Sequence, residues 1–280
     1  MIRDWWITGD VHGDASMRLD VLLGVDDIVP EETALIILGD VGFNYYLSKR
    51  DQRHKREAEN KGVYVYCVRG NHEARPKDVE GMRRIHDDNV KGTVWIEDEF
   101  PHIRYFCDWG IYEINGLLTL VVGGAYSVDK YIRLERGLIW HENEQLSAGE
   151  MESCLRNLTR VGNNFNFDLV LTHTCPLSFQ PTDLFLGFID QSSVDNSMEV
   201  WMEELMKSIK WKHWLFGHYH ADRVELPHVE QFFRELEPLD TIIERWKKYD
   251  ETGELEWWLP LAPRMRRIME GENEILDNLT

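Results

Sequence analysis

Asp10, His12, Asp40, Asn71, His173, His218 and His220 are the side chains best suited to hold metal ions, and they fall in five short blocks. These are Gly9-Asp10-Val11-His12-Gly13, Gly39-Asp40, Gly70-Asn71-His72-Glu73, Thr172-His173 and Gly217-His218-Tyr219-His220. The set mixes imidazole nitrogens with carboxylate and amide oxygens and contains no cysteine, which suits manganese, iron or zinc better than calcium. Seven protein ligands are too many for one transition ion, so two ions with one bridging carboxylate are expected. Such a pair, about 3.5–4 Å apart, holds a hydroxide and clamps the attacking and leaving oxygens of a phosphoryl displacement. Metal binding lowers the pKa of that water towards ~7, so the nucleophile exists at neutral pH.

Buried strands must place these blocks. Trp5–Thr8, Ala34–Leu38, Val63–Val68, Asp168–Leu171 and His213–Phe216 are short apolar, β-branched or aromatic runs, each preceding one block. Runs of this kind ended by glycine or a polar turn read as strands covered on both faces. The ligands then lie just past the carboxyl ends of successive strands, where α/β sheets place their sites. Residues 142–158, with a capping box at Ser147 and Glu150, and 195–209, with a stripe from Met198 to Ile209, read as amphipathic helices. The stripe reads as core packing. The runs 94–97, 102–106, 111–114 and 117–122 read as a meander extending the sheet.

The five blocks resemble those of the calcineurin-like metallophosphoesterase superfamily over residues 5–222. The resemblance implies an α/β fold, a layered β-sandwich flanked by helices. It implies that Asp10, His12, Asp40 and His220 hold one ion, and that Asp40 bridges to a second held with Asn71, His173 and His218. His72 would be the general acid that protonates the leaving oxygen. Protein Ser/Thr phosphatases of the superfamily carry an Asp-Arg pair three and four residues after the bridging aspartate. Here the stretch reads Asp40-Val41-Gly42-Phe43-Asn44, so both are missing, as in RNA lariat-debranching enzymes, and a phosphodiester substrate is admissible. The expected activity is hydrolysis of phosphomonoesters or phosphodiesters of small molecules or nucleotides. A catalytically weak metal-bearing binding module and a protein phosphatase are the alternatives.

Replacements for the missing phosphate clamp are sought nearby. Gly123 to Arg133 reads as a polar loop after a strand, offering Tyr126, Lys130 and Arg133; Arg69 and Arg75 flank the third block. The six histidines outside the blocks, His54, His86, His102, His141, His213 and His228, lie among polar neighbours and read as surface or supporting residues. Glu73 reads as a loop-fixing acid and Cys175 as a buried thiol.

Composition bounds the setting. The chain has 280 residues, 31 basic and 50 acidic, for a net charge of −19. That opposes loose binding to long duplex nucleic acid and favours a small phosphorylated substrate or nucleotide drawn in by the ions. Cys67, Cys107, Cys154 and Cys175 show no paired spacing, and neither a signal peptide nor a membrane span is apparent, so the cytoplasm is expected. Residues 1–225 read as the catalytic domain and 226–280 as a mostly helical appendage. In it, 228–236 and 239–248 are expected as helices broken at Pro238, and Trp257-Trp258-Leu259-Pro260 follows a turn at Gly253.

Overall fold

The computed structural model describes residues 1–160, 165–255 and 260–271. The strands are β1 (Asp4–Thr8), β2 (Thr33–Ile37), β3 (Tyr64–Cys67), β4 (Met82–Asp87), β5 (Gly92–Glu97), β6 (Ile103–Phe106), β7 (Trp109–Ile114), β8 (Leu117–Val122), β9 (Asn166–Thr172), β10 (Lys210–Phe216), β11 (Arg223–Leu226), β12 (Val229–Gln231) and β13 (Leu236–Pro238). The helices are α1 (Ala15–Leu23), α2 (Lys49–Glu59), α3 (Lys130–Glu135), α4 (Ala148–Thr159), α5 (Ser197–Ser208), α6 (Leu239–Thr252) and α7 (Pro263–Met269).

The strands form a seven-stranded sheet, β13-β1-β2-β3-β6-β5-β4, and a six-stranded sheet, β11-β12-β10-β9-β8-β7. In the first, β1, β2, β3 and β6 run parallel; in the second, β8, β9, β10 and β12 do. Strand alternation explains why the central runs are apolar throughout. On β2, Ala34 and Ile36 join the larger core shared with β8, β9 and β10, while Leu35 and Ile37 face a second core with α1 and α2. Helices α4 and α5 pack together, and α5 packs on β10. The expected Met198–Met206 stripe is buried in the larger core. The Ser147–Glu150 capping box forms at the start of α4.

Two expectations are corrected. The runs from 94 to 122 are not one meander: β5 and β6 pair in the first sheet, whereas β7 and β8 pair in the second. The chain changes sheet between Phe106 and Trp109, a step that period-two alternation does not encode. Residues 228–236 are not a helix either. Strand β12 pairs with both β10 and β11, and β13 adds antiparallel to β1. Val229, Phe232 and Leu236 fit helical spacing, but pairing to open sheet edges satisfies their backbone and overrides it. The segment after residue 225 is thus woven into both sheets. The Gly253 turn is present as the left-handed cap of α6; Trp257, Trp258 and Leu259 lie outside the described residues.

One buried cation joins the sheets. The Arg245 guanidinium donates to Glu230 on β12 at 2.7 Å and to Glu237 on β13 at 2.6 Å. Trp246 Nε1 also donates to Glu230, at 2.5 Å. Burial pushes the Glu237 carboxyl up to about 7, opposed by Arg245. Removing one partner of such a cluster strands its charges in an apolar interior. Arg245→Met is therefore expected to destabilise the fold by about 3–5 kcal/mol in urea denaturation; a loss well under 1 kcal/mol would refute the role of this cluster.

Candidate metal centre

All five blocks meet at the carboxyl ends of parallel strands. Asp10 follows β1, Asp40 follows β2, Asn71 and His72 follow β3, His173 follows β9, and His218 and His220 follow β10. Backbone hydrogen bonds knit the loops: His12 N donates to Asp40 O at 2.7 Å, His72 N to Asp40 Oδ1 at 2.9 Å and His218 N to Asp10 Oδ1 at 2.9 Å. Glu73 does the loop-fixing expected of it, accepting from Gly42 N at 2.7 Å and Gly70 N at 3.3 Å. Four candidate ligands, His12, Asp40, His218 and His220, have φ between +47° and +69°. Non-glycine residues adopt this left-handed region sparingly, and such strain concentrates at functional sites.

Close approach dictates two of the glycines. A Cβ on Gly70 would lie 2.0 Å from Asp40 Oδ1, and one on Gly39 2.0 Å from His173 Nδ1. Both ligand side chains occupy space that only glycine leaves open.

Ligand atoms converge here. Asp10, His12 and His220 form one cluster, and Asp10, Asp40 and His173 another, with one ligand atom of each residue within 4.8 Å of the others. His12 Nε2 lies 3.0 Å from His220 Nε2, and Asp10 Oδ2 is buried without a hydrogen-bond partner, 3.2 Å from His220 Nε2. A second pairing is more telling. Ser127 Oγ donates to the Glu144 carboxylate at 2.5 Å and so accepts from Asn71 Nδ2 at 2.8 Å, which aims Asn71 Oδ1 at His173. His173 commits its Nδ1 proton to Leu38 O at 2.7 Å, leaving the Nε2 lone pair 2.8 Å from Asn71 Oδ1. His173 Nε2 and Asn71 Oδ1 are thus presented side by side, an arrangement one ion can share. The residues fit divalent transition ions on this geometry and on their mixed nitrogen and oxygen chemistry.

Charge follows the same pattern. Burial opposes ionisation of Asp40, but His173, His72 and His12 together hold its carboxyl below the usual range. Burial pushes His218 down to about 3, helped by His173, so its ring is neutral and open to a metal. His220 is raised, first by its contact with Asp10. Burial lifts Glu73 to about 7, with Asp40 adding to the rise.

The expected substrate contacts divide. Arg69 is buried, paired to Asp108 at 2.5 Å and bonded to Glu144 O at 2.7 Å, so its guanidinium is engaged in holding loops together. Arg75 is likewise buried against Asp108 and Glu150. Lys130 sits over the Trp140 ring, 4.3 Å from its centroid, in a cavity that none of the candidate ligands lines. Tyr126 lines that cavity and the cleft over the ligands. Arg133 reaches the centre: Nη2 lies 3.4 Å from His72 Nε2, Nε donates to Asp129 at 2.7 Å and Nη1 to Tyr45 OH at 2.7 Å. Sequence reasoning missed Tyr45, Asp129 and Phe233, whose ring stacks on His220 at 4.6 Å. Only the Tyr45-Tyr46 pair, soon after Asp40, left a signal. Cys175 is buried, as expected.

A model of the calcineurin-like phosphoesterase family matches residues 5–222. The chain belongs to this family. Membership and the two ligand clusters support a metal-dependent phosphoesterase, and members of the family usually hold two divalent ions. One crystal structure, that of TT1561 from Thermus thermophilus, is 16% identical with a TM-score of 0.42, covering 85% of this chain and 98% of that one. Another is 14% identical with a TM-score of 0.46, covering 86% and 96%. No curated protein sequence matches. No described helix is long and apolar enough to cross a membrane.

Gly70→Ala should cost this phosphoesterase at least half its bound metal by elemental analysis, because the new Cβ displaces Asp40. Full metal occupancy in the folded variant would refute the close-approach argument.

Proposed function

We propose that the protein hydrolyses phosphoric esters of small molecules or nucleotides at a centre of two divalent transition ions, manganese foremost. The observation that carries this is the convergence of Asp10, His12 and His220 and of Asp10, Asp40 and His173, with Asn71 Oδ1 2.8 Å from His173 Nε2. Asp10, His12, Asp40 and His220 would hold one ion, and Asp40, Asn71, His173 and His218 the other. When bound, the ions supply positive charge for the phosphoryl oxygens and a water activated at neutral pH.

The protein's own groups supply the rest. His72 Nε2 lies 3.3 Å from Asn71 Nδ2 and 3.4 Å from Arg133 Nη2, and the residue lines the cleft over the candidate ligands. Burial lowers the His72 pKa, Asp40 opposes the fall and Arg133 reinforces it. A proton loaded on Nε2 is therefore held by a stronger acid than free imidazole, which suits delivery to a leaving oxygen. Arg133, the cation nearest that nitrogen, would grip a phosphoryl oxygen. Cys67, Cys154 and Cys175 are buried free thiols, which suits the reducing cytoplasm.

The test is hydrolysis of an aryl phosphate monoester and an aryl phosphate diester by manganese-loaded protein. Asp40→Asn should abolish turnover, and His72→Ala should lower it by about 10²–10⁴-fold. Arg133→Ala should raise KM with metal content unchanged, and Lys130→Ala, away from the centre, should leave KM as it is. Two ions bound with no turnover of either ester would overturn the reading.

A further inference from the structure

Two cavities open beside the centre, and Asp40, His72, Asp129 and His220 line both. The first, about 340 Å³, is walled by Leu184, Phe185, Leu186, Ile189 and Val194. Leu184 and Leu186 are 37% and 48% exposed. Their segment is anchored rather than loose: Arg223 forks onto Asp183 at 2.7 and 2.8 Å, and Phe185 stacks on Tyr219 at 6.2 Å. A wall of aliphatic side chains held over a metal centre gains by covering apolar surface. The second cavity, about 300 Å³, differs in kind. It is lined by Tyr45, Tyr46, Arg50, His54 and Arg133, with the Arg50 guanidinium 4.4 Å from the Tyr46 ring centroid.

Charge limits what can sit between them. Arg133, beside His72, is already paired with Asp129, whose other carboxylate oxygen is buried without a hydrogen-bond partner. A phosphomonoester dianion would meet that carboxylate with two charges, whereas a diester brings one charge and two arms.

We propose that the substrate is a small phosphodiester with one apolar arm, seated against Leu184, Leu186 and Ile189, and a second, polar or aromatic arm between Tyr46 and Arg50. This rests on the phosphoesterase reading above and deepens it. Hydrolysis breaks one ester P–O bond and joins the oxygen of water to phosphorus. His72 passes a proton to the departing arm, which leaves as an alcohol; one proton of the attacking water replaces it on His72, and the other goes with the water's oxygen to the phosphomonoester that keeps the second arm.

Binding of non-hydrolysable phosphonates to the manganese-loaded full chain, read by calorimetry, tests this independently of turnover. Methyl hexylphosphonate should bind at least about tenfold more tightly than methyl methylphosphonate, since five methylenes are taken from water. It should also bind more tightly than the hexylphosphonate dianion. In Leu186→Asp and Ile189→Asp, with metal content checked in each, the hexyl-to-methyl ratio should fall to about 1. An equal affinity of wild type for both esters, preference for the dianion, or a hexyl advantage surviving in both variants would overturn the proposal. Selective binding without turnover of any ester would instead overturn the hydrolase reading and leave the apolar subsite standing.

Discussion

The structure depends on bringing lone pairs into mutual contact that would repel each other in isolation. Asp10 and Asp40 are buried carboxylates, and the imidazole rings of His12, His173 and His220 crowd around them. Nothing local favours such a cluster. It exists because five loops are fixed by strands whose own burial is strongly favourable, and because each loop is bonded to its neighbours. The left-handed backbone at four candidate ligands is the residual cost of that convergence.

Two sheets share the work unevenly. The first supplies Asp10, Asp40 and Asn71 and the second His173, His218 and His220, so the centre straddles the sandwich. Relative sliding of the sheets would pull the two halves apart. The apolar core between them resists this, and Arg245 adds a directional link through Glu230 and Glu237. The segment after residue 225 is therefore part of what keeps the site in register. Phe233, stacked on His220, carries that influence to a ligand itself.

Supporting residues account for the departure after Asp40. Where the resemblance anticipates an Asp-Arg pair, this chain has Phe43, buried in the smaller core, and Asn44, whose carbonyl accepts from Ala74 N at 2.9 Å. An aspartate and an arginine nevertheless stand beside His72, as Asp129 and Arg133, approaching from the loop and helix after β8.

Local signals made the ligands and their strands legible. A glycine beside Asp10, Asp40, Asn71 and His218, each after a short apolar run, is a pattern that strand burial and close approach both require, so the sequence by itself determined the α/β class and the candidate ligand set. It also determined α4 and α5, whose capping box and apolar stripe are contained within one element. Tertiary structure alone decided the partners. Arg69 and Arg133 are both arginines near a block, yet one is buried against Asp108 and the other faces His72. Residues 228–236 carry helical spacing, but the edges of β10 and β1 draw Val229–Gln231 and Leu236–Pro238 into strands. The change of sheet after Phe106 likewise depends on which edges are open. Such choices turn on contacts between residues distant along the chain, and no local spacing records them.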